Sequence, residues 1–170
     1  MNPLNWSYRA QAAIGFLCCA GLLGYALYAQ HVLYYNPCPL CILQRVAFMV
    51  MGAGFLLAML HGPRSRPVRV MYAGIVALGG AAGVAVAGRH IYLQNLPADE
   101  VPACTSLPLD YMLEAFPFRT VVDKVLNGSG ECAVVDWTFL GLSMPSWTLV
   151  WYLAMGLGFA WVSLRQPRRG

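Results

Sequence analysis

A chain of 170 residues is long enough for one domain and short for two. Only 11% of its residues are charged and 59% are apolar, with a mean hydropathy of +0.57, against roughly 25% charged in an ordinary soluble domain. So few charges cannot cover the surface of a soluble globule, so much apolar surface is incompatible with disorder, and the class is an integral membrane protein.

The first element runs from Ala10 to Ala29, 20 residues without a charge. At 1.5 Å per helical residue it crosses a hydrocarbon core of about 30 Å. Arg9 followed by an apolar run imitates a cleaved signal peptide, but the run exceeds a usual signal core and Ala26 to Ala29 is not a clean small-x-small site, so the segment is read as a retained helix. Cys18 and Cys19 lie inside it, where thiols act as small apolar packing groups. A short connection, residues 30–41, then carries Cys38-Pro39-Leu40-Cys41. The second helix, residues 42–60, is apolar except for Gln44 and Arg45 in its first turn.

The third helix is expected over residues 70–88, with Ala73, Ala77, Ala81 and Ala85 at four-residue spacing and Gly79 and Gly83 one row over, a pattern that lets helix backbones approach closely. A long connection, residues 89–145, follows. Within it Leu109, Met112, Leu113 and Phe116 recur at helical spacing behind Pro108, which predicts a short amphipathic helix resting on the membrane surface or docked on the bundle. Residues 146–164 form the fourth helix. The fold class is therefore an all-α antiparallel four-helix transmembrane bundle in a single membrane domain, residues 1–170, with a long loop on one side.

Charge orients the bundle. Arg9, Arg64, Arg66, Arg69, Arg165, Arg168 and Arg169 share one side with no acid, whereas all seven acidic residues fall on the other side with Arg45, Arg89, Arg119 and Lys124. The positive-inside rule makes both termini cytoplasmic and puts residues 30–41 and 89–145 on the outer side. The net charge of +4 is thus a consequence of topology and gives no reason to invoke nucleic acid.

Four cysteines, Cys38, Cys41, Cys104 and Cys132, lie on the outer, disulfide-permissive side. A structural bridge across two residues closes too small a loop to constrain the unfolded chain much, whereas a CxxC pair opening a helix suits redox cycling, because the helix N-terminus favours the thiolate. Zinc is the weaker alternative, since Cys104 and Cys132 do not supply the second knuckle of a common ribbon. Cys104 and Cys132 are read either as a staple of the long loop or as a mobile relay pair among Pro102, Pro108, Gly128 and Gly130.

Arg45 stands four residues after Cys41 and shares its helix face, where a guanidinium supports a thiolate and offers hydrogen bonds to a lipid-soluble acceptor; snorkelling to headgroups is the alternative. The chain has no GxGxxG unit, no CxxCH and no iron–sulfur cysteine cluster, so a membrane quinone, ubiquinone or menaquinone, is the acceptor left by elimination. His90, just outside the third segment, is a candidate for a hydrogen bond or proton route at that site.

The segments Cys38-Pro-Leu-Cys41-Ile-Leu-Gln-Arg45, Gly88-Arg-His-Ile-Tyr-Leu-Gln-Asn-Leu-Pro97, Pro102-Ala-Cys104, Gly128-Ser-Gly-Glu-Cys132 and Gly141-Leu-Ser-Met-Pro-Ser-Trp147 together resemble the bacterial disulfide bond formation protein B (DsbB) family, essentially over the whole chain. The resemblance implies an inner-membrane thiol:quinone oxidoreductase that reoxidises the periplasmic dithiol oxidase DsbA. It also implies that Cys104 forms the mixed disulfide with DsbA and that Cys132 is its partner. Cys38 then receives electrons from the loop pair, Cys41 faces the quinone, and Arg45 and His90 bind near the ring. Gln44 stands where some members carry Glu. A vitamin K epoxide reductase-like enzyme, with its CxxC late in the bundle, and a tetraspan scaffold with two structural disulfides are the alternatives.

Reporter fusions test the orientation: fusions at Arg66 and Gly170 are expected to read cytoplasmic and one at Asn127 periplasmic. A periplasmic C-terminus overturns the topology.

Overall fold

The computed structural model describes residues 7–97, 99–101, 114–117, 119–121, 125, 128, 130–135 and 137–165. Four helices dominate it: α1 (Tyr8–His31), α2 (Pro39–His61), α3 (Arg66–Gln94) and α4 (Met144–Arg165). All four are long and apolar enough to cross a membrane. Their outward faces carry Leu17, Leu57, Leu78 and Leu157 in the open, an arrangement stable in lipid and unfavourable in water.

Local chemistry explains where the helices begin and end. Ser7 caps α1 by accepting the Ala10 N–H, and Pro39 occupies the first turn of α2, where its missing N–H costs nothing. Gly62, at φ 55°, ends α2 in the left-handed region and donates its N–H to the Ala58 carbonyl. Each helix extends beyond the apolar stretch that marks it in the sequence. The largest excess is in α3, which reaches Gln94, six residues past Gly88, because hydropathy registers contact with lipid while the backbone ladder continues through polar residues.

α1 packs along α2, α2 along α3 and α3 along α4, while α1 and α4 touch only sparingly. The core between them holds Phe48, Met51, Phe55, Val76, Tyr152 and Phe159. Cys19 is part of this core, its sulfur 4.0 Å from that of Met155, in keeping with a packing role. On α3 the glycine row faces inward as expected, with Gly79 against Met51 and Gly83 under the Tyr152 ring. The alanine row is a correction: of its four members only Ala73 is buried, and Ala77, Ala81 and Ala85 face outward. Periodicity identifies rows of small residues, but the bulk of the facing side chains decides which row turns in. Here Met51 and Tyr152 require glycine.

In the long connection, Leu109, Met112 and Leu113 of the expected amphipathic helix lie outside the described residues. Phe116, Val121 and Val125 pack together with Leu43 of α2, so this part of the loop docks on the bundle. A feature absent from the sequence reading is a two-residue hairpin, β1 (Thr138–Phe139) paired antiparallel with β2 (Leu142–Ser143). Its loop, Leu140 and Gly141, has positive φ at both positions, as a type I′ turn requires. Leu140 is an unusual occupant, which is why no turn signal is legible there.

A Cβ at Gly83 would sit about 2.5 Å from the Tyr152 ring. Gly83→Leu is therefore expected to lower stability by about 1–3 kcal/mol through overpacking. The measure is the unfolding midpoint in detergent; an unchanged midpoint would mean that the helices separate freely at this contact.

Candidate functional site

The site begins at the start of α2. Cys38 is the N-cap residue, and its sulfur accepts the Cys41 backbone N–H at 3.4 Å, the role that serine or threonine oxygen ordinarily plays. That cap, with Pro39 fixing the first helical φ and Leu40 fully buried, sets the two sulfurs 3.2 Å apart. Cys38 is buried and Cys41 half-buried.

His90, expected just outside the third segment, lies within α3 and is buried. Its Nε2 is 3.9 Å from the Cys38 sulfur, and its Nδ1 is 3.2 Å from Gln44 Nε2. Gln44 is itself buried and receives a 2.8 Å hydrogen bond at Oε1 from the Thr148 hydroxyl of α4, which also lies 2.9 Å from the Pro145 carbonyl. Tyr152 donates to the Gln44 backbone carbonyl at 2.6 Å and stacks on Phe48, with ring centroids 4.2 Å apart. Three helices thus meet at one glutamine. With the Gln44 amide donating to Nδ1, the neutral ring carries its proton on Nε2, facing Cys38.

Cys132 closes a short 3-10 turn, Gly130–Cys132, and is completely buried in a small apolar cluster with Cys38, Leu40 and Leu93. Gly128 makes this seat possible: its φ of 78° and its approach to the Leu93 side chain exclude a larger residue. Cys104 lies outside the described residues, so the structure brings together Cys38, Cys41, Cys132 and His90 of the expected set.

Arg45 is tied to α1, donating to the Gln30 side chain and, at 3.1 Å, to the Ala26 carbonyl. It also lines a cavity of about 410 Å³ onto which Cys38, Cys41, Gln44 and His90 open. This cavity occupies the seam where α1 and α4 diverge, walled by Tyr25, Trp137, Trp147 and Trp151. Trp147 is held by a 3.0 Å bond from its indole N–H to the Phe139 carbonyl of the hairpin. The volume suits a small apolar ligand with a few polar anchors. Chemically, the arrangement offers a vicinal dithiol with an imidazole on one side and an apolar chamber on the other.

Sequence reasoning missed Gln44 as the bridge, although a glutamine opening an otherwise apolar helix was the available signal. Thr148 gave none, since a threonine in a helix needs no special partner.

Comparison with known proteins follows the same lines. The profile of the family described as "Disulfide bond formation protein DsbB" matches residues 8–162. Proteins named "Disulfide bond formation protein B" are similar along nearly their whole length. One from Xanthomonas euvesicatoria is 43% identical over 168 residues, covering 99% of this chain and 97% of its own. One from Hahella chejuensis is 50% identical over 155 residues, covering 90% and 92%. One from Acinetobacter baumannii is 46% identical over 164 residues, covering 95% and 94%. The chain belongs to the DsbB family and is a helical membrane protein with a disulfide-forming role.

The bridge can be tested directly. Gln44→Leu removes the partner of His90 Nδ1, leaving a buried ring nitrogen unmatched at about 1–3 kcal/mol, while the Thr148 hydroxyl keeps the Pro145 carbonyl as its acceptor. The expected result is a lower unfolding midpoint, with a less than additive loss in Gln44→Leu/Thr148→Val, since the second change removes a hydroxyl whose bond to Gln44 Oε1 is already gone. Strictly additive losses would mean that the residues do not act together.

Proposed function

We propose that this member of the DsbB family reoxidises a DsbA-like periplasmic dithiol oxidase and passes the electrons to a membrane quinone, as a protein-disulfide:quinone oxidoreductase of the bacterial inner membrane with both termini cytoplasmic. The observation that carries the reading is the placement of the Cys38–Cys41 pair, its sulfurs 3.2 Å apart, on an aromatic-walled cavity at the end of a membrane-crossing helix. A dithiol in that position meets lipid-soluble chemistry on the cavity side and protein thiols on the loop side.

In this reading the dithiol of the partner attacks a loop disulfide between Cys104 and Cys132, forming one S–S bond as another breaks. Exchange with Cys38–Cys41 then leaves the loop pair oxidised and the CxxC pair reduced. The burial of Cys132 beside Cys38 supports a short path for that second exchange. Ubiquinone or menaquinone supplies an acceptor for two electrons and two protons when bound.

The residues present fit such a group. The Tyr25, Trp147 and Trp151 side chains give a planar ring apolar and aromatic surroundings, and Arg45, Gln44 and His90 provide the polar atoms that would hold its oxygens. Arg45, already anchored to α1, presents its cation without needing to be ordered on binding. His90 lies within reach of the Cys38 sulfur, where a proton is gained or lost as the pair changes oxidation state.

Two experiments test the proposal. Cys104→Ser or Cys132→Ser is expected to stop oxidation of the DsbA-like donor while the protein still inserts, and Cys18→Ser and Cys19→Ser to leave turnover near normal; normal turnover without the loop pair would make that pair a staple. Arg45→Met keeps much of the side-chain length but removes the charge-assisted donors, about 1.5–3 kcal/mol, or on the order of tenfold or more in apparent quinone affinity. The measurement is donor-dependent quinone reduction across quinone concentrations. Unchanged affinity and rate would place the quinone elsewhere.

A further inference from the structure

The sulfurs of Cys38 and Cys41 and the ring nitrogens of His90 include three donor atoms that all lie within 4.8 Å of one another. The Cys38 sulfur is 3.2 Å from that of Cys41 and 3.9 Å from His90 Nε2. In a tetrahedral zinc site, with Zn–S near 2.3 Å and Zn–N near 2.0–2.1 Å, neighbouring ligand atoms are separated by about 3.5–3.8 Å. The S···S distance is about half an ångström shorter than a zinc dithiolate requires and the S···N distance somewhat longer, so small side-chain shifts bring the three atoms to ligating positions. We infer that the reduced Cys38–Cys41 pair and His90 form a three-ligand site for a soft divalent d¹⁰ cation, Zn²⁺ or Cd²⁺, that exists only while the pair is reduced. This is not the two-knuckle structural zinc that the spacing of Cys104 and Cys132 argues against. It uses one CxxC and a histidine that reaches it from another helix.

Charge and surroundings favour the assignment. Binding converts two thiols and a dication into a neutral bis-thiolate complex, with two protons released and no electron transferred. The complex thus places no net charge in the apolar chamber, where an isolated ion is costly. All three ligand residues line the cavity, which gives the ion an entry path and leaves the fourth tetrahedral position facing open space.

The shell behind the ligands is also in place. A histidine that ligates through Nε2 carries its proton on Nδ1 and donates it to a fixed acceptor. Gln44 serves as that acceptor once its amide turns by half a rotation. Oε1 then receives Nδ1–H, Nε2 donates to Thr148 Oγ1, and the Thr148 hydroxyl donates to the Pro145 carbonyl 2.9 Å away. Each of these three contacts keeps one donor and one acceptor after the rotation, so neither His90 Nδ1 nor the Thr148 hydroxyl is stranded by it.

Metal capture and disulfide formation exclude each other, because the S–S bond removes both thiolates. Inhibition of turnover by the metal rests on the thiol:quinone reading above. The binding itself does not.

The test therefore reads binding without turnover. The full chain in detergent is reduced, freed of reductant under anaerobic conditions and titrated with Cd²⁺ alone, following thiolate-to-cadmium charge-transfer absorption and the metal retained after dialysis. One Cd²⁺ per reduced chain is expected, with none retained by the oxidised chain. Cys104→Ser/Cys132→Ser should bind as the parent does. His90→Ala should bind at least tenfold more weakly, and Gln44→Leu about tenfold more weakly, as loss of an outer-shell partner does elsewhere. No binding to the reduced chain, equal binding to the oxidised chain, loss in the loop-cysteine variant, or an affinity unaffected by His90→Ala would each overturn the site. Quinone reduction measured without metal reports separately on the functional reading.

Discussion

One contact sets the geometry of everything around it: the Cys38 sulfur accepting the Cys41 N–H at the first turn of α2. A helix that starts inside an apolar bundle has N–H groups that water cannot reach, and each unsatisfied one is costly. Here the atom that relieves this is itself one of the two sulfurs of the CxxC pair. The cap fixes where Cys41 projects, and Cys41 carries the pair onto the cavity. Chemistry at Cys38 is consequently felt by the helix start, and the stability of α2 and the state of its sulfurs are linked by construction.

Behind that contact stands a small polar network in an otherwise apolar core. Gln44 joins α2 to α3 through His90 and to α4 through Thr148, while its backbone carbonyl receives Tyr152. Individually such bonds contribute on the order of 1 kcal/mol, but leaving any partner stranded in this environment costs more than the bond returns. The network therefore acts chiefly on specificity of arrangement. It admits one register of α4 against α2, and Gly83 allows that register by yielding space to the Tyr152 ring.

How much of this was legible from sequence depended on the kind of signal. Apolar stretches of 19 or 20 residues, three of them charge-free and the second broken only by Gln44 and Arg45, marked the four helices because spanning lipid demands them, and the CxxC was visible because its residues are neighbours in the chain. The seat of His90 was not, since the end of α3 is set by backbone hydrogen bonding rather than by hydropathy. Nor was the proximity of Cys132 to Cys38, 94 residues apart, which depends on the glycine conformation at Gly128 and on the pocket between Leu40 and Leu93. The inward glycine row and the outward alanine row had the same helical period, and only the bulk facing them distinguishes the two.

The cavity follows from an uneven bundle. Three successive helix pairs pack closely, α3 through its glycines, whereas α1 and α4 meet sparingly and carry Tyr25, Trp147 and Trp151 where they separate. Aromatic groups of that size hold two helices apart as effectively as glycines let them approach. Arg45 then prevents the gap from widening on the α2 side, since its bonds to Gln30 and the Ala26 carbonyl tie the end of α1 to the turn that bears the cysteines. A space kept open by rings and bounded by a charged tether has its ordering built into the packing of the helices, which is what lowers the cost of holding a flat apolar molecule in the reading proposed above.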